Sequence, residues 1–320
     1  MFSSSSAMNK IRWAVLLLSL LLAAGCIALI LHFCAGNRSV EPDQDGIVRR
    51  EGCLFQPPKE LYEESVTYAT ERFRELYDTY LQETSCRVFC ALIPDKSVYL
   101  EPGDAQKAIF EEMERLYRDG MPYAAPVSLS AVLSLSDFYR TDAHWREDRL
   151  LPCALRLLEA MGKGDLLPNE DAFGQTVYEP FCGALARKYE PDDEPEQIVC
   201  LTGGVLDGCT VTDLSTGETI PLYDLEGCDP DDPYSLFLGG PRPVLRIDNP
   251  AAPKGNELIL FRDSFGSSIA PLLCTAYRTV TVVDLRYLSQ QVLPKFLSFS
   301  DQDVLFLFSE MLINNSLGIR

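Results

Sequence analysis

ELILFRDSFGSSIAPLLCTAYRTVTVVDLRYL, residues 257–288, decides how the chain is read. Leu258 to Phe261 is an apolar run with the length of a buried strand, and it stops at Arg262-Asp263-Ser264-Phe265-Gly266. Ser267 to Tyr277 reads as a helix and Val280 to Leu285 as a second apolar strand. Strand, sharp turn, helix, strand is a βαβ unit, the building block of a parallel sheet. Such a unit presents the residue at the strand's C-terminal end to a crevice. Here that residue is Ser264, between Asp263 and a conformationally permissive Gly266. Its hydroxyl stands where a nucleophile would, beside free N–H groups of the next helix that could receive an oxyanion. The competing reading is that Ser264 caps that helix, a position serine favours.

A serine nucleophile needs a base, which narrows the search upstream. The chain has two histidines, His32 and His144, and His32 lies in an apolar N-terminal run. His144 sits in Tyr139-Arg140-Thr141-Asp142-Ala143-His144-Trp145. In an extended or turning backbone, residues two apart project to the same side, so Asp142 can orient the imidazole and stabilise its charged form. The plainer alternative is a histidine satisfied by a local hydrogen bond.

Trp13 to Ala35 carries no Asp, Glu, Lys or Arg and is long enough to cross a hydrocarbon core of roughly 30 Å. Lys10 and Arg12 on its N-terminal side predict a signal-anchor: residues 1–37 cytoplasmic and membrane-spanning, the remainder outside the cytoplasm at the cell membrane. Ala23-Ala24-Gly25-Cys26 leaves a lipoprotein site open, and a cleaved signal peptide is a third reading. Residues 38–58 read as a polar tether and 59–320 as one large domain. A net charge of −19 argues against nucleic acid and strongly anionic polymers as partners. Of eleven cysteines, Cys26 and Cys34 lie in the apolar run, which leaves an odd number outside. Cys86 with Cys90, or Cys200 with Cys209, could pair. Without a CxxC, and with one histidine in the domain, neither a metal nor another cofactor is expected.

Between these landmarks, Tyr62, Val66, Ala69, Phe73, Leu76 and Tyr80 predict an amphipathic helix within Lys59 to Thr84. Arg87 to Ile93 reads as a buried strand, Asp104 to about Arg118 as a helix closed by Gly120, and Ser128 to Leu135 as another strand. Leu150 to Met161 is a helix ended by Gly162. Lys163 to Pro195 reads as looser chain, and Pro191 to Glu196 as a solvated acidic turn. Ile198 to Ile247 holds short β-like pieces that supply hairpins and a rim. Within them, Gly239 and Gly240 permit either close approach to a ligand or a turn. Ser289 to Phe299 reads as a helix and Val304 to Phe308 as a last parallel strand.

Taken together, YRTDAHW at 139–145 and the run from LILFRDSFG to VVDLRY, 258–287, resemble the DHHW family of bacterial membrane-anchored proteins, relatives of the SGNH hydrolases and of the alginate O-acetylation proteins. The resemblance implies a three-layer α/β/α fold with a mostly parallel sheet. It also implies a Ser-His-Asp triad of Ser264 as nucleophile, His144 as base and Asp142 as orienting acid, with Trp145, Arg286, Gly239 and Gly240 as substrate contacts. Arg286 could equally be an ion-pair partner of Asp263 or Asp284. The implied activity is a serine-dependent O-acetyl esterase or O-acetyltransferase on a cell-envelope or secreted glycan, a transferase drawing on a polytopic membrane acyltransferase as partner. The alternative is a non-catalytic glycan-binding or scaffold protein of a polysaccharide-modification system. Ala143 replaces the family motif's first histidine, and Pro241 stands where an asparagine is expected after the double glycine. If that asparagine helps form the oxyanion hole, Asn249, Asn256 and Asn314 are the substitutes to test.

Overall fold

The computed structural model describes residues 46–101, 104–189 and 193–320. They belong to two units, Met1–Cys53 and Leu54–Arg320. In the first, residues 46–53 carry strand β1 (Val48–Arg50) and a turn in which the Arg49 guanidinium donates to the Gly52 carbonyl at 3.2 Å. The apolar run at Trp13 to Ala35 lies outside the described residues. Among the described residues no helix is long and apolar enough to cross a membrane.

Strand β2 (Cys53–Phe55) follows, with Leu54 and Phe55 buried. The order continues α1 (Glu63–Leu76), β3 (Arg87–Ile93), α2 (Asp104–Gly120), β4 (Ala125–Pro126), α3 (Leu151–Ala160), β5 (Gly174–Phe181), α4 (Ala184–Tyr189) and β6 (Glu196–Thr202). It closes with β7 (Thr210–Asp213), β8 (Thr219–Ile220), β9 (Val244–Asp248), β10 (Glu257–Arg262), α5 (Phe265–Leu273), β11 (Thr279–Val283), β12 (Asp303–Ser309) and α6 (Glu310–Ile313). Eight strands form one sheet in the order β4-β3-β12-β10-β11-β9-β7-β8. The first five run parallel, and β9, β7 and β8 extend the sheet antiparallel.

Strands covered on both faces can be apolar at every position, and β10 and β12 are so between their polar ends, over Leu258 to Phe261 and Val304 to Phe308. Leu258 and Leu260 join Val280, Val282, Leu305 and Leu307 in one core, against α3 (Leu157, Leu158) and α5 (Ile269, Leu273). Ile259 and Phe261 join Phe306 and Phe308 in the other, against α1 (Val66, Phe73, Leu76) and α2 (Phe110, Met113, Tyr117). Phe73 seats α1 on β12, its ring 5.0 Å from both Phe306 and Phe308.

Several expectations need correction. Helix α1 begins at Glu63, so Tyr62 stands outside it and is 52% exposed rather than part of the core stripe. Ser128 to Leu135 forms two short 3-10 turns, not a strand, because its polar side chains bond locally: Ser134 and Asp137 make a reciprocal capping box. The stretch from Lys163 to Pro195, read as loose, contains β5 and α4, and β5 pairs antiparallel with β6 as a separate two-stranded sheet. Strands β7 to β9, read as a rim, extend the central sheet. Gln290–Lys295 is a 3-10 segment with Pro294 inside it, where a longer helix was expected. Cys86, Cys90, Cys200 and Cys209 are free thiols, so neither proposed pairing forms.

Candidate active site

Strand β10 ends at Arg262, and the chain reverses into α5 through Asp263 and Ser264. Asp263 organises this turn. One carboxylate oxygen accepts from Phe265 N at 3.1 Å, and the other from Ser309 N and Oγ at 2.9 and 2.6 Å, which ties the turn to the end of β12. Ser264 is the first residue of the helix end but not its cap. Its φ of −58° and ψ of −30° are helical, whereas a capping serine takes an extended conformation, and its side chain makes no cap hydrogen bond. Gly266 is required by space rather than by an unusual φ: a Cβ there would lie 2.4 Å from the Arg262 Cβ.

The Ser264 hydroxyl instead meets His144 Nε2 at 2.7 Å across 120 residues of sequence. His144 Nδ1 lies 2.6 Å from Asp142 Oδ1, the same oxygen that accepts the His144 backbone N–H at 3.0 Å. Asp142 Oδ2 accepts from Ala184 N at 2.7 Å. With Nδ1 donating to the carboxylate, Nε2 is the acceptor facing the serine proton. Burial opposes charge on Asp142, but His144 and these N–H donors prevail and hold the carboxyl well below its usual range. The His144 side chain keeps 19% exposure, so the imidazole is reachable from solvent while Asp142, at 4%, is not.

The loop carrying Asp142 and His144 has no regular secondary structure, so other groups hold its shape. The buried Lys96 ammonium donates to the carbonyls of Tyr139 at 2.7 Å and Asp142 at 2.6 Å. Glu196, at the start of β6, accepts from Arg140 N (2.8 Å), Thr141 N (2.7 Å) and Thr141 Oγ1 (2.5 Å). It was read as part of a solvated acidic turn, and it is a clamp. Gly183 lets the start of α4 come close enough for Ala184 N to reach Asp142, since a Cβ at 183 would lie 2.4 Å from the Thr141 carbonyl oxygen.

The remaining predicted contacts fall elsewhere. Trp145 is fully buried and its indole donates to the Phe265 carbonyl (3.0 Å) and Ser268 Oγ (2.9 Å). It joins the histidine loop to α5. Arg286 forms a bidentate pair with Asp284 at 2.9 and 2.7 Å, and Asp284 also holds the buried Arg262 at 3.1 Å. Gly239 and Gly240 have positive φ, 66° and 80°, and side chains there would meet Ile220 and Ser235, which is the turn reading. Asn249, Asn256 and Asn314 are committed, their amide groups donating to the carbonyls of Cys274, Ala276 and Glu60. The amides of Phe265, Gly266 and Ser267 are likewise bonded, to Asp263 and Ser264, so the helix end is not the row of free donors that the sequence suggested.

One neighbour went unnoticed in the sequence. Tyr234, buried at 4% exposure in the irregular stretch before Gly239, lies face to face with the His144 ring at 3.9 Å and 14°. Its hydroxyl donates to Ser268 Oγ at 2.8 Å. Phe265 also contacts the imidazole, its centroid 4.7 Å away.

No protein-family model and no curated protein sequence matches the chain. Solved structures do. A DHHW family protein from Eubacterium siraeum aligns with a TM-score of 0.72 at 18% identity, over 88% of this chain and 97% of that one. Bacillus cereus PatB1, solved also with a sulfonyl adduct, aligns with a TM-score of 0.65 at 18% identity, over 83% of this chain and 95% of that one. The O-acetyltransferase domain of Pseudomonas putida AlgJ gives 0.51 at 15% identity, over 84% and 92%. The fold matches that of the DHHW family, as the two sequence motifs suggested.

Proposed function

We propose that the chain is an extracytoplasmic SGNH-type enzyme that moves an acetyl group through Ser264, as an O-acetyl esterase or O-acetyltransferase on a glycan. The observation that carries this reading is the continuous hydrogen-bonded line from Asp142 through His144 to a serine hydroxyl that has no structural bond of its own. The likeness to PatB1 and to an O-acetyltransferase domain supports the same chemistry. The apolar run at Trp13 to Ala35, with Lys10 and Arg12 before it, supports membrane attachment with the domain outside.

In this mechanism His144 Nε2 takes the Ser264 proton as Oγ attacks the ester carbonyl. Asp142 stabilises the imidazolium that results. The C–O bond to the leaving alcohol breaks as His144 returns the proton to it, and Ser264 carries the acetyl group. Water or a sugar hydroxyl then attacks, giving its proton to Nε2, and Ser264 is regenerated. Water as acceptor gives an esterase and a sugar gives a transferase, which would draw its acetyl groups from a membrane acyltransferase. The three candidate asparagines and the amides of residues 265–267 are engaged, so none of them is a free donor for the oxyanion. One missing donor costs about 3 kcal/mol of barrier, so turnover is expected to be slow.

Incubation with a chromogenic acetyl ester or with phenylmethylsulfonyl fluoride should add one acetyl or sulfonyl group to Ser264, read by peptide mass spectrometry. Ser264→Ala should abolish both the adduct and turnover. A folded wild-type protein that neither turns over ester nor forms an adduct would favour the non-catalytic glycan-binding alternative.

A further inference from the structure

In the resting site the Cβ–Cγ bond of His144 and its hydrogen bonds to Asp142 at 2.6 Å and Ser264 at 2.7 Å together set the plane of the imidazole. During the acyl-transfer cycle proposed above that restraint weakens. Once the Ser264 proton has moved and Oγ is bonded to carbon, only Asp142 still holds the imidazole, at the moment when Nε2 must point at the leaving oxygen.

Tyr234 supplies the missing restraint. Its ring is parallel to the imidazole within 14° at a centroid distance of 3.9 Å, a closer face contact than the tilted Phe265 makes at 4.7 Å and 43°. Tyr234 is itself immobilised at both ends. The hydroxyl donates to Ser268 Oγ at 2.8 Å, and the ring packs on Phe237 at 4.9 Å and edge-on to Tyr139 at 6.4 Å. Ser268 is fixed in turn, accepting from the Trp145 indole at 2.9 Å and donating to the Phe265 carbonyl at 3.3 Å. The same two side chains, Trp145 and Tyr234, therefore reach one hydroxyl on α5. A ring held this way also favours a positive charge against its face, the state His144 adopts in mid-reaction.

We infer that Tyr234 is a positioning residue that sets the plane of the His144 imidazole through face-to-face stacking, with its hydroxyl serving only as the anchor to Ser268. The inference rests on His144 being the base of the proposed reaction, and its test has an arm that does not need turnover. In the full-length protein, Tyr234→Leu removes the stack, while Tyr234→Phe keeps the ring and loses only the anchor. For ester turnover, Tyr234→Leu should lower kcat about tenfold, equivalent to about 1.4 kcal/mol, with KM within twofold of wild type. Tyr234→Phe should restore kcat to within threefold. Carbethoxylation of His144 by diethyl pyrocarbonate, followed on its own peptide and so separate from His32, should be several-fold faster in Tyr234→Leu than in wild type or Tyr234→Phe.

Equal kcat and equal carbethoxylation in folded Tyr234→Leu and wild type would overturn the inference, as would a parallel fall of both variants. Should Tyr234→Leu not fold, the wild-type protein decides: nuclear Overhauser contacts between the Tyr234 ring and the His144 ring protons are expected, and their absence overturns the stack. If wild-type protein lacks turnover and adduct, the enzymatic reading fails, while the carbethoxylation and Overhauser arms still judge the stack.

Discussion

Replacing Asp142 by asparagine changes one atom and tests the charge relation of the site. The carboxylate accepts three N–H bonds: His144 N and Nδ1 on one oxygen, Ala184 N on the other. An amide has one acceptor oxygen. Turned toward His144, it preserves the Nδ1–H tautomer but sets its NH2 against Ala184 N–H. Turned toward Ala184, it offers a donor to Nδ1 and drives the proton to Nε2, where it blocks acceptance from Ser264. Either way the charge opposite the imidazolium is gone. At the observed 2.6 Å contact, unit charges in an effective dielectric of about 20 attract by about 6 kcal/mol. The same substitution in a serine protease triad costs about 10⁴ in rate, or about 5.5 kcal/mol. The expected result for Asp142→Asn is thus a fall in kcat of roughly 10³ to 10⁴ on 4-nitrophenyl acetate, with a native circular dichroism spectrum. A folded variant within tenfold of wild type would show that Asp142 holds the loop and does not serve the base.

Two further outcomes are expected. Gly266→Ala brings a Cβ against the Arg262 Cβ at 2.4 Å, a contact that no flexible side-chain end can relieve, and should lower stability by about 1 to 3 kcal/mol in urea titration; an unchanged midpoint would mean the turn has slack. Burial and the neighbouring Asp95 push the Glu310 carboxyl up to about 8, so the folded state binds its proton more tightly than the unfolded chain. That contribution is complete below about pH 4 and is lost as pH rises through 8. Melting temperature should therefore decline across that window and the slope should flatten in Glu310→Gln; identical slopes would refute the assignment.

The parts that were legible in the sequence are those whose burial is total or periodic. Arg87–Ile93, Glu257–Arg262 and Asp303–Ser309 are near-continuous apolar runs because helices cover both faces of the sheet. Asp104–Gly120 shows itself by its apolar spacing, and Gly162, at a φ of 71°, marks the end of α3. The turn at Ser264 and the D-x-H triplet were visible as local patterns, a hydroxyl after a buried strand and a carboxylate two residues before the imidazole. Strand β5 was not, since it is largely exposed and leaves no apolar run to read. Nor could local pattern separate Trp145 as a buried strut from Trp145 as a ligand platform. Tyr234 and Glu196 act through contacts with chain about 50 to 100 residues away, which composition does not record.

The position of β12 between β3 and β10 bears on how the molecule is made. The strand follows every other strand of the sheet in sequence, yet it is hydrogen-bonded on both sides inside the sheet, and Ser309 at its end secures the Asp263 turn. Without it the sheet falls into two pieces, β4-β3 and the five strands from β10 to β8. A chain stopped before β12 would lack both the strand that joins these pieces and the Ser309 anchor of the turn that carries Ser264.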